Sequence, residues 1–226
     1  MSDAPSTYTG AVKPGGPADV RELADLTITK VAVDEQMSNN CYLLRCRATG
    51  EQLLIDAAAE PDTLLPLVGD RLATVVTTHQ HWDHHRALAD VSATTGAAVL
   101  AGEPDAAAIT EATGVPVSRT LAHGDTVTVG DCTLEVIALR GHTPGSVALV
   151  YRDPEGTPHL WTGDSLFPGG PGRTTSPEDF DSLMADLQTK VFDQLPDETW
   201  FYPGHGTDST LGAERDSIPE WLQRRW

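Results

Sequence analysis

Four of the eight histidines lie between positions 79 and 85, in the segment HQHWDHH, which also contains an aspartate. The segment follows a β-branched run at 73–78 that is typical of a buried strand. In a loop that leaves a strand, residues two apart can point the same way, so His79 and His81 can bind one ion. Asp83 and His84 lie just beyond them and can face a second ion. Because neutral imidazole and carboxylate are ligands for zinc, iron and manganese, the segment predicts a metal site.

Three further residues of these types follow along the chain. His142 lies in RGHTPG at 140–145, Asp164 lies in TGDS at 162–165, and His205 lies in YPGHG at 202–206. Each follows a predicted strand and has glycine nearby, which lets the backbone bring a side chain close to a ligand. The sequence therefore predicts that these three residues complete the site.

The motifs H-x-H-x-D-H, G-H-T-P-G, G-D and P-G-H occur in an order that resembles the metallo-β-lactamase superfamily. The resemblance extends from Leu26 to about Arg215. It implies an α/β fold, an αββα four-layer sandwich with a dinuclear site at one edge. The ligands it implies are His79, His81 and His142 for the first metal, Asp83, His84 and His205 for the second, and Asp164 between the two. Asp56, at the end of an earlier strand, is a candidate to orient an imidazole, with turn capping as the alternative.

Such a site suits hydrolysis. Two divalent ions ~3.5–4 Å apart share a water and lower its pKa to about 7, so hydroxide is present at neutral pH. That hydroxide attacks a carbonyl group while a metal polarises the carbonyl oxygen. Asp83 is the expected catalytic residue, because it can orient the hydroxide as well as bind metal. The expected cofactor is a pair of divalent ions, Zn²⁺ first, with iron or manganese as alternatives.

Within the superfamily, the chain is similar to the short form of the glyoxalase II branch, the hydroxyacyl-thioester hydrolases. The similarity lies in GDSLF at 163–167, GGPGRT at 169–174 and the segments YPGHG and TLG near the end. A thiolate leaves without a protonating acid, so a small-molecule thioester or related activated acyl compound is the expected substrate. Only 21 residues follow His205, and the basic region with which long members bind glutathione has no counterpart in this sequence. Lactone or small-ester hydrolysis is therefore an alternative.

Two other functions fit part of the pattern. The persulfide dioxygenase branch looks similar at His79, His142 and Asp164, and a mononuclear iron site of this kind suits oxygen chemistry. A catalytically idle protein that keeps its metal only for folding is the second alternative. Replacement of Asp83 by alanine distinguishes these functions, because a hydrolase would lose turnover whereas a catalytically idle protein would keep its partner.

Four side chains are expected near the mouth of the site. Trp82, Phe167, Arg173 and Tyr202 are the candidate substrate contacts, with packing as the alternative for Trp82 and Phe167 and surface ion pairing for Arg173. The remaining histidines, His85, His123 and His159, are predicted to be turn or surface residues.

Composition restricts the partners. The 226 residues carry a formal charge of −18 at pH 7, so nucleic acid and anionic membranes are not expected partners. No apolar run approaches the ~18 residues of a membrane helix, and the first residues do not form an export signal. The three cysteines are then expected to be reduced thiols in a cytoplasmic protein. No oligomeric state is predicted.

The elements that must position these residues are predicted from apolar periodicity and turn signals. Residues 1–20, rich in Pro and Gly, are predicted to be a flexible arm, and residues 21–226 a single domain. Strands are predicted at 26–33, 41–45, 52–55, 73–78, 98–101, 115–121, 126–129, 133–139, 146–152, 159–162 and 199–202. Helices are predicted at 61–68, 104–113, 177–191 and 218–226. This order predicts two sheets, each covered by helices and packed face to face.

Overall fold

The computed structural model of the protein describes residues 8–225. Its first sheet has seven strands in sequence order. The first four strands are antiparallel neighbours, and the last four are parallel neighbours connected by helices. The strands are β1 (Asp19–Glu22), β2 (Leu26–Val33), β3 (Asn39–Cys46), β4 (Gln52–Ile55), β5 (Leu72–Thr77), β6 (Ala98–Gly102) and β7 (Arg119–Leu121). The connecting helices are α1 (Pro61–Val68), α2 (Leu88–Thr95) and α3 (Ala106–Thr113).

The second sheet has six strands in the order β15-β14-β11-β10-β9-β8. These are β8 (Thr126–Val129), β9 (Cys132–Ala138), β10 (Val147–Arg152), β11 (Pro158–Gly163), β14 (Trp200–Pro203) and β15 (Ser209–Thr210). A small hairpin, β12 (Leu166–Phe167) and β13 (Gly170–Pro171), follows β11. The helices on this side are α4 (Pro177–Asp186), α5 (Leu211–Arg215) and α6 (Ile218–Arg224), and a π-helical turn, Leu187–Phe192, extends α4.

Three apolar layers hold these elements together. The middle layer lies between the sheets and includes Leu44 of β3, Leu134 of β9 and Trp161 of β11. One outer layer packs the first sheet against its helices, and the other packs the second sheet against α4 and α6. The predicted αββα sandwich is therefore confirmed. Among the described residues, no helix combines the length and apolarity needed to cross a bilayer.

Helix α4 shows how local sequence sets an element. Ser176 caps it by accepting a hydrogen bond from the amide of Asp179, and Pro177 occupies the first turn. Phe180 and Leu183 lie on its buried face. The prediction of one helix to residue 191 is corrected, because the last turns are π-helical. The predicted strand at 115–121 is also shorter, since only Arg119–Leu121 pairs with β6. Helix α2 was not predicted, because its buried face has only two large apolar residues, Leu88 and Val91.

The described part of the N-terminal segment lies against the second sheet. The Tyr8 hydroxyl donates to Asp208 at 2.6 Å, and the fully buried Lys30 ammonium donates to the Gly10 carbonyl at 2.7 Å and to Asp208 at 2.6 Å. Strand β1 begins at Asp19, so the first sheet starts inside the segment predicted as an arm. Residues 1–7 of that predicted arm lie outside the described residues.

Candidate metal centre

Seven side chains from both sheets meet at one edge of the sandwich. Each lies on a loop that follows a strand, where the chain is free of strand pairing and can turn a side chain inward. His79, His81, Asp83 and His84 follow β5, His142 follows β9, Asp164 follows β11 and His205 follows β14. The predicted ligands lie on four loops from both sheets, and the fold brings them together although they are spread from position 79 to position 205.

The first set consists of His79, His81 and His142. Their ligand atoms lie within 4.8 Å of one another. His79 Nε2 is 3.1 Å from His81 Nδ1, so these two nitrogens face a common point. Three imidazole nitrogens at this spacing match a His₃ site for a divalent transition metal.

The second set consists of Asp83, His84 and His205, whose ligand atoms also lie within 4.8 Å of one another. His84 Nε2 and His205 Nε2 are 3.3 Å apart, and His205 Nε2 is 3.4 Å from Asp83 Oδ2. Two imidazoles and a carboxylate form a second donor set of the kind that Zn²⁺, Fe²⁺ and Mn²⁺ accept.

Asp164 lies between the two sets. Its Oδ1 is 3.3 Å from His84 Nε2, and its Oδ2 is 3.5 Å from His205 Nε2 and 3.7 Å from His142 Nε2. His142 belongs to the first set, whereas His84 and His205 belong to the second. The carboxylate therefore has the position that a bridging ligand requires.

Two buried atoms show that this donor set fits a cation. His142 Nε2 and Asp164 Oδ1 are inaccessible to solvent and have no hydrogen-bond partner among the described residues. Buried polar atoms without partners are rare in folded proteins, because each one costs the hydration energy it has lost. A metal ion satisfies both atoms, since each offers a lone pair toward the centre.

The outward nitrogens of three imidazoles are fixed by oxygen acceptors. His84 Nδ1 is 2.8 Å from Asp56 Oδ2, His142 Nδ1 is 2.7 Å from the Arg173 carbonyl, and His205 Nδ1 is 2.8 Å from the Met37 carbonyl. Each ring donates its Nδ1 hydrogen outward, which leaves the Nε2 lone pair available to a metal.

Asp56 has the position expected of a residue that orients an imidazole, and it contacts the neighbouring strand end instead of capping its own turn. Besides its contact with His84, its carboxylate accepts from the amide and hydroxyl of Thr78, at 2.7 Å and 2.8 Å. The Thr78 hydroxyl lies 3.0 Å from His79 Nδ1. Asp56 therefore closes the turn after β5 and also helps to orient one imidazole of each set.

The two sets differ in protonation, because burial lowers the pKa of each imidazole in the first set, whereas neighbouring carboxylates, against burial, raise the pKa of His84 well above 6.5 and that of His205 to about 9. Burial alone would raise the pKa of Asp164, but His84 and His205 hold it well below its ordinary value. The pKa of Asp83 is lowered in the same way, against burial, by His205 and His84. Burial lowers the pKa of His79 well below 6.5, so this ring is neutral at pH 7. A divalent cation fits this site, because it pairs with the ionised carboxylates and displaces the protons of His84 and His205 when it binds.

The sequence matches one family over most of its length. A sequence model of the metallo-β-lactamase superfamily matches residues 35–205. The chain belongs to this superfamily. A "hydroxyacylglutathione hydrolase" of a Polaromonas species is 32% identical over 80% of this chain and 66% of its own length. A protein of the same name from Rhodospirillum rubrum is 31% identical over 81% of this chain and 67% of its own length. The chain thus spans about two thirds of these relatives.

Solved structures share the fold of this chain. ETHE1 from Myxococcus xanthus superposes with a TM-score of 0.72 at 30% sequence identity, covering 85% of this chain and 83% of that one. TTHA1623, solved in a di-iron-bound form, has a TM-score of 0.66 at 30% identity, covering 84% of this chain and 98% of that one.

Three of the four predicted substrate contacts lie in surroundings that differ from one another in exposure and in neighbouring groups. Trp82 is 57% exposed and lies under the Arg86 guanidinium at 4.8 Å. The half-buried ring of Phe167 is 6.4 Å from the ring of His205. Arg173 has an exposed side chain but contributes its carbonyl to His142. These three remain candidates for the rim of the site.

The prediction that Tyr202 contacts the substrate is corrected, because its side chain is fully buried between the two sheets. Its hydroxyl contacts Arg21 at 3.0 Å and His159 at 2.8 Å instead of a substrate. His159 was predicted to be a turn or surface residue, but it is also buried. His85 is likewise buried and contacts the Gln80 carbonyl, whereas His123 is exposed as predicted.

The sequence interpretation missed Asn39. This fully buried side chain donates from Nδ2 to Asp83 Oδ2 at 3.0 Å, and its backbone forms an isolated bridge with His205. The available signal was a pair of asparagines, Asn39 and Asn40, at the start of a strand whose next four residues are apolar or aromatic. Buried amides at such a position require partners, and here those partners belong to the metal centre.

Proposed function

We propose that this protein is a dinuclear metal-dependent hydrolase that cleaves a thioester or a related activated acyl compound. The observation that carries the proposal is the convergence of two ligand sets on one carboxylate, Asp164. The first set, His79, His81 and His142, would hold one ion, and the second, Asp83, His84 and His205, would hold the other. Zinc is the proposed metal, since the donors are imidazole and carboxylate.

When bound, a pair of divalent ions supplies a water of lowered pKa and a Lewis acid for the acyl oxygen. The protein supplies the orientation. Asn39 fixes Asp83 by donating to its Oδ2, and the lowered pKa keeps this carboxylate ionised at neutral pH. An ionised Asp83 accepts a hydrogen bond from the attacking water and directs it toward the acyl carbon.

The thioester preference follows from the protonation of the centre. Cleavage of an amide requires a proton for the departing amine, whereas a thiol with a pKa of about 8.5 can leave as a thiolate. The carboxylates of Asp83 and Asp164 both have lowered pKa values, so neither stores a proton at pH 7. The relatives named hydroxyacylglutathione hydrolase support the same substrate class. A lactone or small ester is the alternative substrate, although its alkoxide is a poorer leaving group than a thiolate and would depend on stabilisation by a metal ion.

A mononuclear iron oxidoreductase acting on a persulfide is the second candidate. His79, His142 and Asp164 supply two imidazoles and a carboxylate, the ligand set of many iron sites that activate oxygen. The similarity to ETHE1 supports this candidate.

The two candidates differ in their need for Asp83. We would measure metal per chain by elemental analysis, then assay zinc-loaded protein for thiol release from acyl thioesters and iron-loaded protein for oxygen uptake with a persulfide. For the hydrolase, two ions per chain are expected, and Asp83→Ala should lower thiol release by at least 100-fold, the range typical of a lost general base. Asp90→Ala, an exposed residue of α2, is the matched control.

One iron per chain, with persulfide-dependent oxygen uptake that survives Asp83→Ala, would favour the oxidoreductase over the hydrolase. Thiol release that is unchanged by Asp83→Ala would remove the proposed catalytic role of this residue.

A further inference from the structure

A buried carboxylate outside the ligand sets joins two of the loops that carry ligands. Asp105 ends the short 3₁₀ turn Glu103–Asp105 between β6 and α3, and it is fully buried. Its Oδ2 accepts from the Gln80 amide at 2.9 Å and from the Thr143 hydroxyl. Its Oδ1 accepts from the Gly145 amide at 2.7 Å. One side chain thus contacts the loop after β5 and the loop after β9.

The contacted atoms are adjacent to the three ligands of the first set. Gln80 lies between His79 and His81, so a bond to its amide fixes the backbone from which both rings project. Thr143 directly follows His142, and Gly145 belongs to the same turn. Asp105 therefore holds the backbone beside every imidazole of the first set, although it contacts none of them.

The backbone of Gly145 packs against Asp105 and Gly102 without space for an added side-chain atom. A Cβ atom at Gly145 would lie 2.5 Å from the amide nitrogen of Asp105 and 2.8 Å from its Cβ. A Cβ atom at Gly102 would collide with the Gly145 carbonyl. The loop after β9 therefore packs directly against the backbone at Asp105, and the Asp105 side chain spans from there to the Gln80 amide of the loop after β5.

We propose that Asp105 is a positioning residue for the first metal, and that its carboxylate sets the separation between the His79–His81 loop and the His142 loop. This inference rests on the proposed metal centre. The second set, Asp83, His84 and His205, lies outside the contacts of Asp105, so its metal affinity should depend on Asp105 only weakly.

The chemistry of the amide makes Asp105→Asn a selective test. A carboxylate accepts at both oxygens, whereas an asparagine offers one accepting oxygen and one donating NH₂ group. The NH₂ group must face the amide of Gln80 or that of Gly145, and two donors cannot bond. One of the two loops is released with almost no change in side-chain volume. Loss of a partner behind the ligands typically weakens metal binding by about 10–100-fold.

We would strip the full-length protein with a chelator and determine both Zn²⁺ dissociation constants by competition with a chromophoric chelator. Asp105→Asn should weaken one constant by about 10–100-fold and the other by less than about threefold. Glu214→Gln is the matched control. Glu214 is 8% exposed, and its carboxylate accepts from the Gly169 amide and the Ser209 hydroxyl, both at 2.8 Å, neither of which adjoins a ligand of the first set.

A second pair of variants identifies the affected site. In a His142→Ala background the first set is already broken, so adding Asp105→Asn should cause no further loss. In a His205→Ala background, which breaks the second set, the full loss should persist. Thr143→Val removes one hydroxyl donor and should produce a smaller loss of the same kind.

Unchanged dissociation constants in Asp105→Asn, together with a lower free energy of unfolding, would show a purely structural role and overturn the inference. Equal weakening of both metals would also overturn it. The proposed function is judged separately on the unsubstituted protein, because a chain that binds no second ion there fails as a dinuclear hydrolase whatever Asp105 does.

Discussion

The buried imidazole of His159 should make the stability of this protein depend on pH. His159 is 3% exposed, and burial together with the nearby Arg21 guanidinium lowers its pKa from 6.5 to about 4. The Tyr202 hydroxyl accepts from Arg21 and donates to His159 Nδ1, so this nitrogen must be unprotonated. Protonation would remove the acceptor of the Tyr202 hydroxyl and place two positive charges beside each other.

The sign and size follow from proton linkage. The folded state holds its proton less tightly than the unfolded state, so the unfolded state binds more protons between pH 6.5 and 4. The stability contributed by neutral His159 is fully present above pH 6.5 and is lost as the pH falls toward 4. At about 1.4 kcal/mol per pKa unit, the total is about 3 kcal/mol, of which about 2 kcal/mol is lost by pH 5.

Urea unfolding from pH 8 to pH 4.5 measures this effect. His159→Gln keeps an acceptor for the Tyr202 hydroxyl but does not titrate. The free energy of unfolding of the unsubstituted protein, relative to that of His159→Gln, should therefore fall by about 2 kcal/mol between pH 7.5 and pH 5. The other titrating groups are common to both proteins, so their contributions to the pH dependence cancel when the two free energies of unfolding are compared. His123→Gln, at an exposed histidine, should leave the pH profile unchanged. Parallel profiles for His159→Gln and the unsubstituted protein would refute the reasoning.

Three further predictions concern the ion pair, the packing and the metal. Lys30→Met leaves Asp208 buried without its cation and should cost about 3–5 kcal/mol in urea unfolding, while Lys30→Met with Asp208→Leu should recover most of that loss. Gly204→Ala places a Cβ atom against the Asp164 carboxylate and 2.7 Å from His84 Cε1, so elemental analysis should find less than half the metal of the unsubstituted protein. Removal of metal with a chelator should lower the unfolding midpoint, because an ion at 100 times its Kd stabilises the folded state by about 2.7 kcal/mol.

Local sequence pointed to the candidate ligands because they lie at the ends of strands, in loops. His79, His81, His142 and the other ligands each follow a strand that apolar patterning reveals, beside glycines that permit close approach. The strands at 126–129 and 133–139 and the start of the helix at residue 177 were predicted for the same reason, since turns and helix caps are set by neighbouring residues. These features need no knowledge of distant parts of the chain.

The sequence also determined the αββα layers, because strands and helices with one apolar face have few ways to bury it. It did not determine which polar side chains point inward. Strand β14 is covered by the other sheet on one face and by helices on the other, so alternation along it does not separate buried from exposed residues. For this reason the position at the mouth of the site predicted for Tyr202 was wrong. The surface position predicted for His159, on the neighbouring strand β11, was also wrong, because its ring packs against the ring of Tyr202.

Only the tertiary structure decided which groups support the ligands. The acceptors for His142 and His205 are the carbonyls of Arg173 and Met37, and a carbonyl carries no sequence signal because every residue has one. Asp105 is 25 residues from Gln80 and 40 residues from Gly145, and it is one of 33 acidic residues in the chain. Asp105 lies beside the two ligand loops because β6 packs beside β5 and the two sheets approach each other. These are long-range contacts that no local pattern specifies.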